Sequence, residues 1–355
     1  MKRLIIILMV VISVLLLFAC DTEKEKTEYN KDYSVGVIET TEQKNRSRLT
    51  FYDIDLAKVN SIEYNLGSMG SYFYPPKVFD NYMYVVPQGI GNRKEKTVIF
   101  ELNLETGETK EYDMGLQNMN SFCITDKYIF GVATWNHTSI IARYDKNLKE
   151  IKTLEFSEIF IELMEPTDDN LMAFGGSKVE SYLYKIDIEK LRIEKEYNII
   201  EHGLVHEGAV VIGDDLYFTN TTKQGDGKED LENDTMSVFH MNDETFEKIQ
   251  LESDSPSHII EYNNKLFIVH CNLVIGEGNE ISIYDIETKE IELIELGHNV
   301  CQIEIQDNIL YAIDYEKNLY KYILSEDKLE LENQVDLDTT EGEKEHFYIG
   351  GFFKK

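Results

Sequence analysis

The feature that most constrains this 355-residue chain is a phrase that returns at a nearly fixed interval. Asp/Asn turn residues followed by an apolar or aromatic run occur in "FDNYMYVV", "TDKYIFGV", "DDNLMAFG", "GDDLYFTN", "NNKLFIVH" and "QDNILYAI". The first apolar residues of these runs are Tyr82, Tyr128, Leu171, Leu216, Leu266 and Ile309, at intervals of 46, 43, 45, 50 and 43. The runs are short, bounded by turn residues and rich in β-branched and aromatic side chains, so they read as strands. Strands grouped at a period of about 40 to 50 residues are the mark of a β-propeller.

A hairpin follows each phrase. "EISIYDIETKEIELIELG" (280–297) is the clearest, and related hairpins begin at 49, 98, 140, 182, 237 and 319. A further short run precedes the turns, as in "SFCIT" (121–125), "GAVVI" (208–212), "SHIIEY" (257–262) and "VCQIEI" (300–305). One unit therefore carries four strands, named A, B, C and D from the ring axis outward. No unit can bury its two apolar faces alone, so its neighbours must cover them. The chain ends say how the ring closes. "YSVGVIE" (33–39) supplies a B strand and 49–66 a C–D hairpin, with no A strand before them. "HFYIGGFF" (346–353) follows the last D strand and has no B strand after it. Joining the two remainders gives an all-β, seven-bladed propeller whose first blade is completed by the C-terminal strand, which also pairs an otherwise open edge. A β-sandwich or two smaller sheets would not leave matching remainders.

The first twenty residues read as a targeting signal. Lys2 and Arg3 precede an apolar stretch from Leu4 to Ala19, which is short for a membrane-spanning helix and suited to a secretory leader. Its end, Leu17-Phe18-Ala19-Cys20, resembles the bacterial lipobox, in which the Cys is lipidated and becomes the mature N-terminus. That resemblance implies a signal peptide at 1–19, a lipidated Cys20 with a polar tether to residue 31, and a propeller domain over 32–355, outside the cytoplasmic membrane and tied to it. An uncleaved anchor helix would give the same compartment. The net charge is −31, and removal of Lys2 and Arg3 makes it −33. Such a surface repels nucleic acid and anionic head groups, so neither is expected as a partner. Cys123, Cys271 and Cys301 are odd in number and widely spaced, with neither a disulfide framework nor a metal ribbon; buried free thiols are expected.

Residues 33–355 as a whole resemble the broad group of bacterial propellers related to quinoprotein-like and YncE-like repeat proteins. The Trp-bearing quinoprotein repeat, the WD dipeptide and the sialidase Asp-box are not found, and Gly-Gly, at 175–176 and 350–351, does not recur unit by unit as in kelch repeats, so the resemblance lends the fold and no activity.

In such a blade the D-to-A connections and B-to-C loops gather on one face, and the A–B and C–D turns on the other. The first face receives the longer loops and most histidines. His202, His206, His258, His298 and His346 fall in D–A connections or at the start of A strands, His137 in a B–C loop and His270 at the end of a B strand. His206, His258, His298 and His346 belong to blades 5, 6, 7 and 1, where imidazoles at a channel mouth would bind a divalent metal or serve as acid–base groups. The plainer alternative is that loops are polar and this face has more loop. No HxxxH spacing marks a metal site, no cofactor is expected, and no GxSxG, Walker or GxGxxG motif occurs. Trp135, the only Trp, and Tyr72, Phe73 and Tyr74 belong to the same face, either as partner contacts or as packing between blades. Asp226, Asp230, Glu232 and Asp234 do not match an EF-hand loop and read as a solvated acidic segment. These features favour a monomeric binding or scaffolding module for an unknown protein or small molecule. The alternative is a lactonase-like hydrolase or lyase.

Overall fold

The computed structural model describes residues 29–41, 45–87, 97–225, 229–325, 328–337 and 346–355. The leader, Cys20 and most of the tether lie outside the described residues. The chain forms seven four-stranded antiparallel sheets, each a blade. Blades 2 to 7 take their four strands in sequence, and the first blade has the order Tyr348–Lys354, Val35–Thr40, Ser47–Tyr52, Lys58–Tyr64. The C-terminal strand thus occupies the A position beside the N-terminal B strand, with Val35 opposite Lys354 and Gly36 opposite Phe353. Seven blades and this closure are what the sequence predicted.

Among the described residues the buried apolar side chains fall into clusters between successive blades. Phe353 and Phe51 pack with Met83 and Phe100 between blades 1 and 2, and Phe352 and Val37 pack with Tyr311 and Leu319 between blades 7 and 1. The same pattern continues round the ring. Burial also falls from the axis outward. Strand B of blade 4 (Asn170–Ser177) is almost wholly buried, whereas its strand D (Arg192–Asn198) is almost wholly exposed and charged.

Two of the Asp/Asn phrases are tight turns whose two central residues both have positive φ, at Asn263–Asn264 (54° and 62°) and Asp307–Asn308 (50° and 60°). That conformation matches strand twist in a two-residue hairpin and favours Asn and Asp. The seam relies on glycine. A Cβ on Gly350 would lie 1.9 Å from the Met69 carbonyl oxygen, so only glycine lets the closing strand approach the connection into blade 2.

Candidate functional site

Each A strand bonds to its B strand on one side and borders the axis on the other, leaving one edge without a ladder. Side chains close much of this edge by reaching to the next blade. Asn120 Nδ2 donates to Ile161 O (2.9 Å), and His206 N donates to Glu162 Oε1 (2.9 Å). Thr221 Oγ1 donates to Pro256 O (2.8 Å), and His258 Nε2 donates to Ile303 O (3.2 Å). Gln302 both donates to Phe352 O (2.7 Å) and accepts from Phe352 N (3.1 Å).

Several of these residues stand where the A–B ladder slips. The register shifts across Asn120 in blade 3, Glu162 in blade 4, and Ser257 and His258 in blade 6. A β-bulge re-aims a side chain out of the alternating pattern. In blade 4 it allows both Glu162 and Glu165, three residues apart, to border the channel. Burial pushes the Glu162 carboxyl up to about 8, against the pull of the His206 N–H, with nearby Glu207 adding to the rise. Burial likewise lifts Glu207 and Glu304 to about 7 and raises Glu165, whose Oε2 lies 3.8 Å from Lys77 Nζ. These four carboxylates are deeply set among protein atoms yet keep part of their surface exposed.

A cavity of about 1040 Å³ opens at the A–B mouth, bordered by blades 2 to 5, with Lys77, Asp126, Glu165, Asp169, Asp214 and Met241 in its wall. A smaller one, about 250 Å³, lies on the opposite, D–A/B–C face among Glu232, Asp254, His270, Ile275 and Glu277.

Of the histidines singled out from the sequence, His202 lies near enough to His206 to disfavour its charge. His206 is fully buried; its Nδ1 donates to Thr219 O (3.0 Å) and its Nε2 accepts from Ser181 Oγ (3.0 Å). Burial holds its ring down at about 4, and does the same for His258. Buried His270 donates from Nδ1 to Asp254 O (2.9 Å) and accepts at Nε2 from Ser282 Oγ (2.7 Å). His298 turns to the third strand of blade 7, where its ring stacks on Tyr320 (centroids 3.4 Å apart) and accepts from Tyr322. His346 and His137 are exposed. Among the described residues no three His, Cys, Asp or Glu side chains group as metal ligands. His206, His270 and His298 thus hold both ring nitrogens in internal bonds, which leaves no lone pair for a metal.

The aromatic candidates divide. Tyr72 is half-buried, donates to Asp314 O (2.8 Å) and lies against Tyr315 (4.4 Å). Tyr74 is half-buried, with its N–H on Ser71 O (3.2 Å). Phe73 between them is exposed, and Trp135, 69% exposed, ends its strand at an Asn136–His137 turn of positive φ. Trp135 has company on this face: Phe160, Val179, Val274 (80%) and Ile275 (61%) are also exposed there. On the opposite face, among the described residues, Ile54 and Leu148 are exposed at C–D turns, with Val78, Ile151 and Ile193 exposed beside the turns of that face.

Sequence reasoning missed Lys77, Glu162, Glu165, Glu207 and Glu304. A signal existed: "FIELMEP" and "VCQIEI" set a carboxylate within an apolar innermost strand, where a charge must face water or a partner.

No family model matches the chain, and no curated protein matches it. Solved structures do. A putative 6-phosphogluconolactonase from Bacteroides uniformis aligns with a TM-score of 0.63 at 12% identity, over 91% of this chain and 100% of that one. A functionally unknown protein from Desulfotomaculum acetoxidans gives 0.63 at 11%, over 91% and 98%. BamB from Moraxella catarrhalis gives 0.50 at 9%, over 87% of each chain. At such identities the likeness shows the propeller fold alone.

Proposed function

We propose that the protein is a lipid-anchored, extracytoplasmic propeller that docks a protein partner on its D–A/B–C face. The observation that carries this reading is that the two most exposed large apolar side chains of the described residues, Val274 (80%) and Trp135 (69%), both stand at B–C connections, away from the entry of the chain. Trp135, Phe160, Val179, Val274 and Ile275 are spread around blades 3, 4 and 6, and exposed aromatic and aliphatic groups ringed by polar loops mark interaction surfaces. The N-terminal segment enters on the other face. There Tyr29 Oη donates to Leu104 O (2.7 Å) and Lys31 pairs with Glu105 (3.3 Å) at the C–D turn of blade 2. Cys20 is nine residues before Tyr29, which at full extension spans about 30 Å. A lipid on Cys20 would therefore hold the A–B/C–D face near the bilayer and turn the apolar loops away from it.

Photo-crosslinking residues placed at Trp135 and Val274 in the membrane-bound protein test this, with Leu148 on the opposite face as the comparison. Discrete adducts from positions 135 and 274, and none from 148, are expected. Adducts at 148 alone would refute the assignment of the face.

The second reading is a lactonase-like hydrolase or lyase with a divalent metal, and the observation favouring it is the cavity of about 1040 Å³ beside Lys77 and Glu165. Metal bound at about one ion per chain and lost on replacing Glu165 with Gln would favour it over docking.

A further inference from the structure

Blades 6 and 7 meet over two sulfur atoms. Cys271 is near the end of strand B of blade 6 (Lys265–Asn272), and Cys301 immediately precedes strand A of blade 7 (Gln302–Gln306). Both are buried, and their Sγ atoms are 3.7 Å apart. The backbones that carry them are fixed, with Cys271 N donating to Ser255 O (2.9 Å) and Cys301 N to Ile313 O (2.8 Å). Leu273, Val300 and the half-buried Tyr72 close the surroundings. A disulfide requires its sulfurs about 2.0 Å apart, so side-chain rotation at two residues has roughly 1.7 Å to cover.

We propose that Cys271 and Cys301 are a disulfide-forming site that ties blade 6 to blade 7. Secreted chains meet oxidants that the cytoplasm holds in check. In the first step the thiolate of one cysteine attacks a sulfur of an oxidising disulfide, borne by a thiol oxidase or by a small molecule. A mixed disulfide forms and the oxidant's first thiolate leaves. In the second step the other cysteine's thiolate attacks the protein-side sulfur. The Cys271–Cys301 bond forms, the oxidant's second thiolate departs, and two electrons and two protons have passed to the oxidant. No oxidant reaches the pair in the closed ring, so exchange precedes the docking of blade 7 on blade 6. Once the blades meet, burial raises the Cys301 thiol far above its ordinary range, so a pair that folds reduced stays reduced. Cys123, buried between blades 3 and 4, is the internal control.

The test is thiol counting on the full chain. Protein is taken from membranes into a maleimide, then denatured, and alkylated with and without prior reduction. With the Cys20 thiol taken up by lipid, one labelled thiol before reduction, at Cys123, and three after it are expected, with a peptide linking 271 to 301 in the unreduced digest. In a second arm the same chain is unfolded and refolded with oxidised glutathione; the 271–301 link is expected, and its melting midpoint should exceed that of the reduced chain. Cys301→Ala should abolish that difference. Three labelled thiols before reduction together with no link on oxidative refolding, or a link through Cys123, would overturn the proposal. The first arm rests on the extracytoplasmic placement proposed above and the second does not, and neither depends on the docking face.

Discussion

The seam between the chain ends offers a sharp test because a glycine and an aromatic ring share one space. Gly36 and Phe353 are directly opposite in the ladder that closes blade 1. A Cβ on Gly36 would stand 2.3 Å from the tip of the Phe353 ring, which is fully buried between blades 1 and 2. The ring covers the glycine, and the ladder then holds the two strands in one register. Gly36→Ala forces the ring aside, an overpacking strain of about 1–3 kcal/mol. Phe353→Ala leaves a void and costs about 3–5 kcal/mol. In the double variant the void accepts the new methyl group, and the alanine, at a φ that suits it, contributes roughly 0.4–1 kcal/mol by restricting the unfolded chain. The double variant should therefore be more stable than the two single losses together imply, by about 1–3 kcal/mol.

Urea and thermal midpoints of the four proteins read this coupling. Unfolding entropy near 2.1 cal/mol/K per residue makes each kcal/mol worth roughly 1.5 °C in a domain of this size, so Phe353→Ala should lower the midpoint by about 4–8 °C. Losses that add to within about 0.5 kcal/mol would mean that the ring does not lie over Gly36, and the register of the closing strand would be wrong.

Three further outcomes follow from the same geometry. Deleting residues 346–355 removes Phe352 and Phe353 from two cores, the Gln302 contacts to Phe352, and the Phe347 ring over Arg48; a midpoint fall well beyond that of Phe353→Ala is expected by calorimetry, and an unchanged midpoint would contradict the closure. Glu162 is held up to about 8 in the folded chain, so its contribution is full below its ordinary range near 4.5 and is lost as pH rises toward 8; Gln keeps the acceptor for His206 N and has no such loss. Glu162→Gln should thus match the parent at pH 4.5 and melt progressively higher than it up to pH 8, and a difference that stays flat across that range would refute the assignment. Replacing Cys20 with Ala should move the protein out of the membrane fraction or leave it unprocessed, and continued incorporation of labelled lipid would refute the leader.

The ring was legible because its cause is arithmetic. Apolar phrases at a steady interval demand neighbours, and an unmatched B strand at one end with an unmatched A strand at the other leaves one economical closure. The face carrying Trp135 followed from strand direction alone. The carboxylates of the innermost strands left a signal, but which side chains reach the axis was not legible, because period-two reading assumes an unbroken ladder. The slips at Asn120, Glu162 and His258 change which side chains reach the axis, and nothing in "MNSFCI" or "FIELMEP" announces them. The histidines show a second limit. Sequence placed His206 and His298 in equivalent connections, yet one is sealed between blades and the other is stacked on Tyr320. Ring orientation depends on partners such as Ser181 and Tyr322, which lie in other strands. Cys271 and Cys301, thirty residues apart, meet only because B of one blade packs against A of the next.

The entry of the chain and the seam of the ring lie at the same place. Lys355 Nζ donates to Lys31 O (2.6 Å) and pairs with Glu105 (3.4 Å), which also holds Lys31, while Lys355 N donates to Ser34 O (3.0 Å). If Cys20 is tethered to lipid, any pull on the domain passes through these residues into the strand Val35–Thr40. That strand is bonded on both edges, to Ser47–Tyr52 and to Tyr348–Lys354. A force along it must shear two antiparallel ladders at once instead of opening one bond at a time. A first blade built wholly from consecutive strands would put the entering chain on an innermost A strand, with one ladder to hold it. Closure by the C-terminal strand therefore does more than cover an edge: it places the point of attachment inside a sheet, where neighbours on both sides share the load.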